Sequence, residues 1–239
     1  MVESKVAIVI PAYNEEKTIR RVISELRELL SEDIAFIVVN DCSQDETSFE
    51  AKVAGANVID LNSNSGYALA IEAGLKLALA ENYEFAVTVD ADGQHPPSTV
   101  KEIIEMIQTG DWDLVLADRN ERPRFGELVF CSIFKTFLNI PDPLCGLKAY
   151  RLDIFRDIAK FETFDSIGTE LLVRYCLAKK RVNSSVLMKV RCRDDEPRFG
   201  SGLRINIRLL KSILLVIKFI LINRLTKTVA ELTKAIKRN

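Results

Sequence analysis

Phe85–Pro97 reads FAVTVDADGQHPP, an apolar run that ends in two carboxylates spaced two residues apart, Asp90 and Asp92. Side chains alternate along a strand, so both acids can bind one ion only if the backbone turns after the apolar run, which Gly93 makes easy. Carboxylate oxygens favour Mg2+ or Mn2+ over zinc, and such ions keep open positions that a diphosphate can fill. The stretch therefore predicts a divalent cation and a nucleotide-type substrate. The alternative is an acidic turn that caps a helix beginning near Pro97.

Two earlier apolar runs end in the same way. Residues 6–10 (VAIVI) are followed by PAYNEE at 11–16, and residues 35–39 (AFIVV) are followed by NDCSQDET at 40–47. Each run predicts a buried strand with polar residues at its C-terminal end, where open α/β sheets bind ligands. These strands alternate with helical patterns, which predicts an α/β fold with a mostly parallel sheet flanked by helices.

The alternation continues through the middle of the chain and then weakens. The remaining predicted elements are a strand near 57–61, helices at 67–80 and 98–108, and a strand at 113–117. After residue 117 the pattern loosens, which predicts a region of loops on the acceptor side of the site.

The three motifs closely resemble those of the family-2 glycosyltransferases of the GT-A fold, whose strands end in P-A-Y-N-E, in D-D-x-S-x-D-x-T and in D-A-D. The nearest branch by resemblance is the dolichyl-phosphate mannose and glucose synthases. Three further segments support that branch: DADGQHPP at 90–97, Asp118-Arg119, and DPLCGLKAY at 142–150. The resemblance spans roughly residues 5–204 and implies a GT-A, Rossmann-like fold.

Three positions depart from the family pattern. Asn40 occupies the first acid position of D-D-x-S, and Asp118 replaces a small residue before Arg119. Near the C-terminus, RFGSGLR at 198–204 stands in for the family's R-x-x-G-x-S-K, with one residue fewer between arginine and glycine. The resemblance therefore supports a role for Arg198 less strongly than it supports roles for Asp90 and Asp92.

The resemblance also implies a set of site residues. Asp92 would hold Mg2+ or Mn2+ with support from Asp90 and Gln94, and Arg119 and Arg198 would bind the remaining phosphate charge. The expected contacts of the nucleotide sugar are Pro11, Tyr13, Glu15, Val39, Asp41, Asp90, Ala91, Asp92, Arg119 and Arg198. The expected catalytic residues are Asp92, Arg119 and Asp142.

Three of these features have alternative interpretations. Asp142 is a candidate general base, but an acid before Pro143 is equally typical of a turn cap. His95, the only histidine, is a candidate third metal ligand, but its position before two prolines favours a bracing role in the turn. Residues 64–68 (NSGYA) resemble the family's N-x-G-x-G/A turn, whose N–H groups approach the nucleotide, although an isolated Asn-x-Gly is usually an ordinary loop.

The resemblance implies inverting transfer of a sugar from GDP-mannose or a UDP-sugar to a polyprenyl or dolichyl phosphate. A phosphate acceptor is already an anion at neutral pH and needs no general base, whereas a sugar hydroxyl needs one. Two alternatives stay open, namely a family-2 enzyme with a soluble or polysaccharide acceptor, and a nucleotidyltransferase. The latter usually carries a Gly-rich basic loop after its first strand, where this chain has PAYN at 11–14.

Charge is unevenly distributed along the 239 residues. The net charge is −1, yet Arg198–Asn239 contains ten Lys and Arg against one acid. We therefore divide the chain into a catalytic domain, residues 1–203, and a basic helical tail, residues 204–239. The apolar run Leu209–Leu225 is interrupted by basic residues and is too short and too charged for an easy membrane span. The tail instead predicts an amphipathic helix on an anionic membrane surface, with a basic stripe of Arg204, Arg208, Lys211 and Lys218.

The tail also has other interpretations, and the composition excludes some partners and sites. The helix could pack on the catalytic domain or on a second copy in a homodimer. Nucleic acid is not expected as a partner, because the tail has one aromatic, Phe219, and no recognised binding motif. Five cysteines without a CxxC spacing argue against zinc and disulfides. With no apolar run before Lys5, we expect a cytoplasmic protein, peripheral at the cytoplasmic face of the membrane.

Overall fold

The computed structural model describes residues 5–121, 125–158, 169–178, 180–192 and 209–222. In chain order the elements are β1 Val6–Ala12, α1 Ile19–Leu29, β2 Ala35–Asn40, α2 Thr47–Val53, β3 Asn57–Asp60, α3 Tyr67–Ala80, β4 Phe85–Thr88, α4 Pro97–Thr109, β5 Leu114–Arg119, α5 Phe125–Leu138, β6 Lys148–Arg151, α6 Leu152–Ile158, α7 Thr169–Leu177 and β7 Val182–Met188. A further helix, called the C-terminal helix below, spans residues 209–222.

The strands form one seven-stranded sheet in the order β3-β2-β1-β4-β6-β5-β7. β1 to β4 run parallel, as do β5 and β7, whereas β6 is antiparallel to both of its neighbours, β4 and β5. The strand order reverses at β1, and open α/β sheets bind ligands in the crevice outside such a switch point. This mostly parallel sheet confirms the predicted fold class.

Helices cover both faces of the sheet, and each face has its own apolar core. One core contains the buried residues of α1, α2 and α4, and the other contains those of α3, α5, α6, α7 and the C-terminal helix. α3 approaches β1 and β2 closely at Gly74, where a Cβ would collide with Val9 and contact Val39. Because α3 follows β3, this packing fixes the first turn of α3 at the C-terminal edge of the sheet.

The predicted elements agree with the structure as far as β5. The helix predicted at 67–80 is α3, the helix predicted at 98–108 lies within α4, and strand and helix alternate as expected. Beyond β5 the prediction of loops is wrong, because the described residues there form α5, β6, α6, α7 and β7. α5 has apolar residues on most of its sides, including exposed Phe125 and Phe137, so its helical period is weak.

The C-terminal helix has two distinct faces. Leu209, Ile213, Val216 and Ile220 are buried in the core shared with α3 and α5, at the spacing of one helix face. The opposite face exposes five apolar residues and two lysines: Leu210, Lys211, Leu214, Leu215, Lys218, Leu221 and Ile222. One face therefore packs in the core that contains α3 and α5, and the opposite face is exposed.

Parts of the predicted tail and site lie outside the described residues, namely Arg198, Arg204 and Arg208. Within the described ranges, no helix combines the length and the apolar character needed to cross a membrane.

Candidate functional site

The three sequence motifs lie side by side at the C-terminal edge of the sheet. β1 pairs with β2 on one side and with β4 on the other, so the residues that follow these strands share one edge. The helices α1 to α4, which follow strands β1 to β4, begin at the same edge. Helix N-termini carry partial positive charge, which favours an anionic ligand there.

The loops after β1 and β2 are joined by hydrogen bonds between their motif residues. Asn14 N–H donates to Ser43 Oγ at 2.9 Å, and Asn14 Oδ1 accepts from Gln44 N–H at 2.8 Å. Glu15 N–H donates to Thr47 Oγ1 at 2.7 Å. Much of the polar character of the two motifs therefore serves to hold the loops against each other.

The residues expected around the base and ribose differ in their accessibility. Pro11 and Val39 are partners in the β1–β2 register, and both are buried. The Glu15 carboxylate is also buried and accepts a hydrogen bond from Thr18 Oγ1 at 2.8 Å, at the start of α1. Tyr13 is 37% exposed and is the member of this group that offers a surface to a ligand.

Asp41 ties the end of β2 to the turn before α3. Its Oδ1 accepts from Ser65 N–H at 2.6 Å and its Oδ2 accepts from Gly66 N–H at 2.8 Å. Gly66 has a φ of 87°, a left-handed conformation that glycine adopts without strain. The N–H groups of this turn, which resembled a nucleotide-binding turn in sequence, are therefore bound to the Asp41 carboxylate.

Asn40 is explained by its neighbour on β3. Asn40 Nδ2 donates to Asp60 Oδ1 at 2.8 Å, and Asn40 Oδ1 accepts from Ser43 N–H at 3.1 Å. The pKa of Asp60 is lowered to about 2, chiefly by the hydrogen bond from Asn40, and Lys52 contributes further. The family pattern has an acid at position 40. In this chain an acid, Asp60, lies beside position 40 on β3, and Asn40 donates a hydrogen bond to it.

Asp90 is held from two sides. Tyr67 Oη donates to Asp90 Oδ1 at 2.6 Å, and His95 Nε2 lies 3.4 Å from Asp90 Oδ2. Asp90 N–H also donates to His95 Nδ1 at 3.1 Å, so a neutral His95 carries its proton on Nε2. Both ring nitrogens therefore face Asp90, which agrees with the bracing role predicted for His95 and not with a metal ligand. Burial and the Asp90 charge raise the pKa of Tyr67, which keeps its hydroxyl protonated as a donor.

The third side of Asp90 rests on Gly146. A Cβ at Gly146 would lie 2.6 Å from both carboxylate oxygens of Asp90, which only glycine avoids. Thr88 Oγ1 fixes the opposite side of this contact by donating to the Gly146 carbonyl at 2.6 Å. Thr88 and Lys148 are partners in the antiparallel β4–β6 register, and continuing it by two residues brings Asp90 opposite Gly146. The pairing of β6 with β4 therefore places the segment DPLCGLKAY (142–150) next to the segment DADGQHPP (90–97).

Asp92 and Gln94 complete the predicted cation site. Asp92 is mostly buried, and its Oδ1 accepts from Gln94 N–H at 3.0 Å, which fixes the turn that carries both acids. Among the described residues there is no group of three or more His, Cys, Asp or Glu arranged for one ion. The donors present nevertheless fit Mg2+ or Mn2+, because such ions are held through one or two carboxylates and complete their shell with water and substrate phosphate.

Arg119 lies at the same edge, at the end of β5, in a buried ion pair. Its Nε and Nη2 donate to Asp142 Oδ2 at 2.6 Å and Asp142 Oδ1 at 3.1 Å, and Nη2 is 3.5 Å from Glu127 Oε2. Burial alone would lower the pKa of Arg119, but the bonds and charge of Asp142 raise it above the ordinary value. The Arg119 side chain is 19% exposed and that of Asp142 is 0% exposed, so Arg119 is the member of the pair that can reach a ligand.

Three residues of this arrangement were not identified from the sequence. Tyr67 and Lys148 stand within quoted motifs but had no assigned role, and Glu127 had no signal because the helix α5 was not predicted. Burial lowers the pKa of Lys148, while the neighbouring carboxylates of Asp142 and Asp90 oppose that shift. Lys148 thus places an amine among the carboxylates of the site.

Known proteins share these features. The profile of Glycosyl transferase family 2 matches residues 7–128. A dolichyl-phosphate hexose transferase from Haloferax volcanii is 30% identical over 178 residues, which cover 70% of this chain and 75% of that protein. An undecaprenyl-phosphate mannosyltransferase from Micrococcus luteus is 29% identical over 173 residues, which cover 64% and 69% respectively.

Solved structures show the same fold. A glucosyl-3-phosphoglycerate synthase from Mycobacterium tuberculosis, crystallised with Mn2+, UDP and glucosyl-3-phosphoglycerate, has a TM-score of 0.71 at 20% identity. The match covers 90% of this chain and 80% of that one. The fold is thus that of the GT-A glycosyltransferases. The chain belongs to glycosyl transferase family 2, and its relatives confirm the resemblance to the dolichyl-phosphate sugar transferase branch.

We expect Asn40→Asp to destabilise the fold, although it restores the acid of the family pattern. The change replaces a hydrogen-bond donor 2.8 Å from Asp60 by a second carboxylate. Because the Asp60 side chain is 48% exposed and solvent screens the repulsion, the cost is about 0.5–1 kcal/mol near neutral pH. Asp60 has a lowered pKa, so its stabilising contribution is present above its unfolded pKa of 3.8 and disappears as the pH falls towards 2. The difference between variant and wild type should therefore shrink below about pH 4, where the new acid becomes protonated and can donate.

Urea unfolding at several pH values measures this effect. The matched control is the exchange variant Asn40→Asp with Asp60→Asn, which restores one donor and one acceptor and should recover most of the lost stability. Equal unfolding free energies of Asn40→Asp and wild type at pH 7 would show that the Asn40–Asp60 contact is not what selects asparagine.

Proposed function

We propose that this glycosyltransferase moves a sugar from a nucleoside diphosphate sugar, GDP-mannose or a UDP-sugar, to a polyprenyl or dolichyl phosphate, with inversion at the anomeric carbon. The observation that carries the proposal is the Asp90 carboxylate, fixed by its neighbours, with Asp92 two residues away and Arg119 at the same edge of the sheet. The names of the two relatives described above support the choice of acceptor.

The donor would lie across the ends of β2, β1 and β4. Tyr13 and Asp41 would contact the base and ribose, with Pro11, Glu15 and Val39 forming the wall behind them. Asp41 already binds two N–H groups, but each carboxylate oxygen has a second lone pair for a donor group of the nucleotide. Arg119 would bind phosphate oxygens, and Arg198 stays a candidate for the same role. Ala91 would contact the donor through its backbone, because its side chain is buried.

A divalent cation, Mg2+ or Mn2+, would be held by Asp92 with Asp90 and Gln94. When bound, it would neutralise the negative charge that develops on the diphosphate leaving group. Tyr67, His95 and Gly146 keep the Asp90 carboxylate in one orientation. Preorganised charges of this kind stabilise a transition state without a reorganisation cost during the reaction.

Asp142 would act through Arg119. Its carboxylate is fully buried and bound by the guanidinium, so it orients Arg119 towards the phosphates. A polyprenyl phosphate needs no general base, because the attacking oxygen is already anionic. The expected role of Asp142 as a base would be needed only for a hydroxyl acceptor.

A lipid acceptor fits the apolar surface formed by α5 and the C-terminal helix. The two helices border an apolar cleft, lined on α5 by Phe134 and Phe137 and on the C-terminal helix by Val216 and Leu221 among others. Beside it, the outward face of the C-terminal helix combines exposed leucines and isoleucine with Lys211 and Lys218. Apolar residues with interspersed lysines suit the surface of an anionic membrane. We therefore propose peripheral binding at the cytoplasmic face.

A transfer assay tests the proposed reaction. The purified chain is incubated with Mn2+, one nucleotide sugar at a time, and polyprenyl phosphate in vesicles, and the organic phase is analysed by mass spectrometry. We expect a glycosyl polyprenyl phosphate from one donor, with an anomeric configuration opposite to that of the donor. If sugar reached only soluble acceptors, the lipid acceptor would be wrong while the family assignment would stand.

We expect Asp92→Ala to reduce transfer by several orders of magnitude and to remove metal-dependent nucleotide binding, because the cation loses its main carboxylate. Circular dichroism should show an intact fold, since Asp92 contributes no apolar packing. Asp33→Ala is the matched control, because Asp33 is exposed in the loop before β2, at the opposite edge of the sheet. Near-normal turnover of purified Asp92→Ala would contradict the cation assignment.

We expect Leu214→Glu to weaken binding to anionic vesicles several-fold, because Leu214 is 68% exposed at the centre of the outward face. Reversing Lys211 and Lys218 to Glu should also weaken binding and reduce its salt dependence, since each lysine near an anionic leaflet contributes about 1 kcal/mol. Cosedimentation at low and high salt measures both effects. Phe49→Glu is the control, because Phe49 is an exposed apolar residue on α2. Equal sedimentation of Leu214→Glu and wild type would exclude this face as the membrane contact.

A further inference from the structure

Tyr67 occupies a special place in the site, because it is the first residue of α3 and reaches across to the end of β4. Its hydroxyl donates to Asp90 Oδ1 at 2.6 Å, the short distance typical of a hydrogen bond to a charged acceptor. The rest of the ring is partly buried against the apolar core beneath α3. Replacing tyrosine by phenylalanine would therefore remove this one contact and keep the packing.

The two residues before Tyr67 bind the other carboxylate of the site. Ser65 and Gly66 donate their N–H groups to Asp41, at the end of β2. Residues 65–67 thus contact two carboxylates, Asp41 on the side proposed for the nucleotide and Asp90 on the side proposed for the cation. α3 is itself held against the sheet by the close approach at Gly74. The start of α3 is therefore a rigid bridge between the two halves of the proposed site.

We propose that Tyr67 is a positioning residue for cation binding, acting through the hydroxyl contact that fixes the orientation of the Asp90 carboxylate. This inference rests on the proposed function, because it assigns Tyr67 a role toward the same cation. Tyr67 would not touch the reacting atoms, and its effect would be transmitted by Asp90. Through the neighbouring turn at 65–66, which binds Asp41, Tyr67 also links the proposed cation side to the proposed nucleotide side.

The physical basis is the number of contacts that determine the direction of the carboxylate. Gly146 blocks one side of Asp90, and His95 lies 3.4 Å from Oδ2, so Tyr67 supplies the short contact to Oδ1. Without the hydroxyl, Oδ1 would bind water and the carboxylate could rotate about its terminal bond, a torsion with a broad energy profile. Partners that orient metal-binding side chains typically change metal affinity by about 10- to 100-fold.

A titration with Mn2+ tests the proposal without measuring catalysis. Wild type and Tyr67→Phe are each titrated with Mn2+ in the presence of saturating GDP or UDP, whichever stabilises the wild type. Mn2+ binding is followed by calorimetry at one temperature, and the melting temperature of each protein is measured separately. We expect the half-saturating Mn2+ concentration to rise about tenfold or more in Tyr67→Phe. The melting temperatures of the two proteins without Mn2+ and nucleotide should lie within a few degrees of each other.

The matched control is Tyr175→Phe. Tyr175 is a buried tyrosine whose hydroxyl donates to the Arg151 carbonyl at 2.9 Å, and Arg151 pairs with Phe85 at the opposite edge of the sheet. Its removal should lower the melting temperature without changing the half-saturating Mn2+ concentration. If Tyr67 contributed only to stability, Tyr67→Phe would likewise lower the melting temperature and leave the half-saturating Mn2+ concentration unchanged.

The outcomes separate this proposal from the proposed function. If wild type bound nucleotide without any effect of Mn2+, the cation assignment and the role of Tyr67 would both be overturned. If wild type responded to Mn2+ and Tyr67→Phe responded at a concentration within twofold, only the role of Tyr67 would be overturned. A selective rise in Tyr67→Phe, absent in Tyr175→Phe, supports it.

Discussion

The contact between the Asp90 carboxylate and the α-carbon of Gly146 is the constraint on which the site depends. No side chain other than hydrogen fits at Gly146, and Thr88 holds the Gly146 carbonyl from the neighbouring strand. The contact exists because β6 inserts antiparallel between β4 and β5. The same segment carries Asp142, which binds Arg119 at the end of β5. The segment that contains β6 therefore brings the acidic motif and Arg119 to a common edge.

Most polar residues of the motifs bind one another. The loop at 14–16 is bonded to the loop at 43–47, Asp41 binds the turn at 65–66, and the Asp90 carboxylate is contacted by Tyr67 and His95. Such mutual bonding fixes the charges before a ligand arrives, which is what electrostatic stabilisation of a leaving group requires. Because so many motif residues bind one another, most of them serve the geometry of the site and only a few would contact a ligand directly.

The sequence predicted the half of the fold that has regular periodicity. β1, β2, β4 and α3 combine clear apolar patterns with polar ends, so their type and approximate bounds followed from the residues. α5 and β6 did not, because α5 is apolar on most sides and β6 reads KAYR, with a basic residue at each end and no apolar run. The sequence likewise placed Asp90, Asp92 and Asp41 at strand ends. However, the residues of the turn before α3 and at its start that bind Asp41 and Asp90 are 23 to 25 residues away in the chain and required the tertiary structure. The buried pairing of Asp142 with Arg119 was invisible for the same reason.

The central claim is that this sheet edge binds a nucleoside diphosphate sugar through a divalent cation. Calorimetric titration of the purified chain with the preferred nucleotide sugar, with Mn2+ and then after chelation, tests it most directly, with the corresponding nucleoside as the ligand that lacks phosphate. We expect a nucleotide-sugar affinity that falls at least about tenfold on chelation, because a cation held by the carboxylates would neutralise the charge of the diphosphate, and a nucleoside affinity that does not change. Metal-independent binding of the nucleotide sugar, or no binding of any nucleotide sugar, would contradict it.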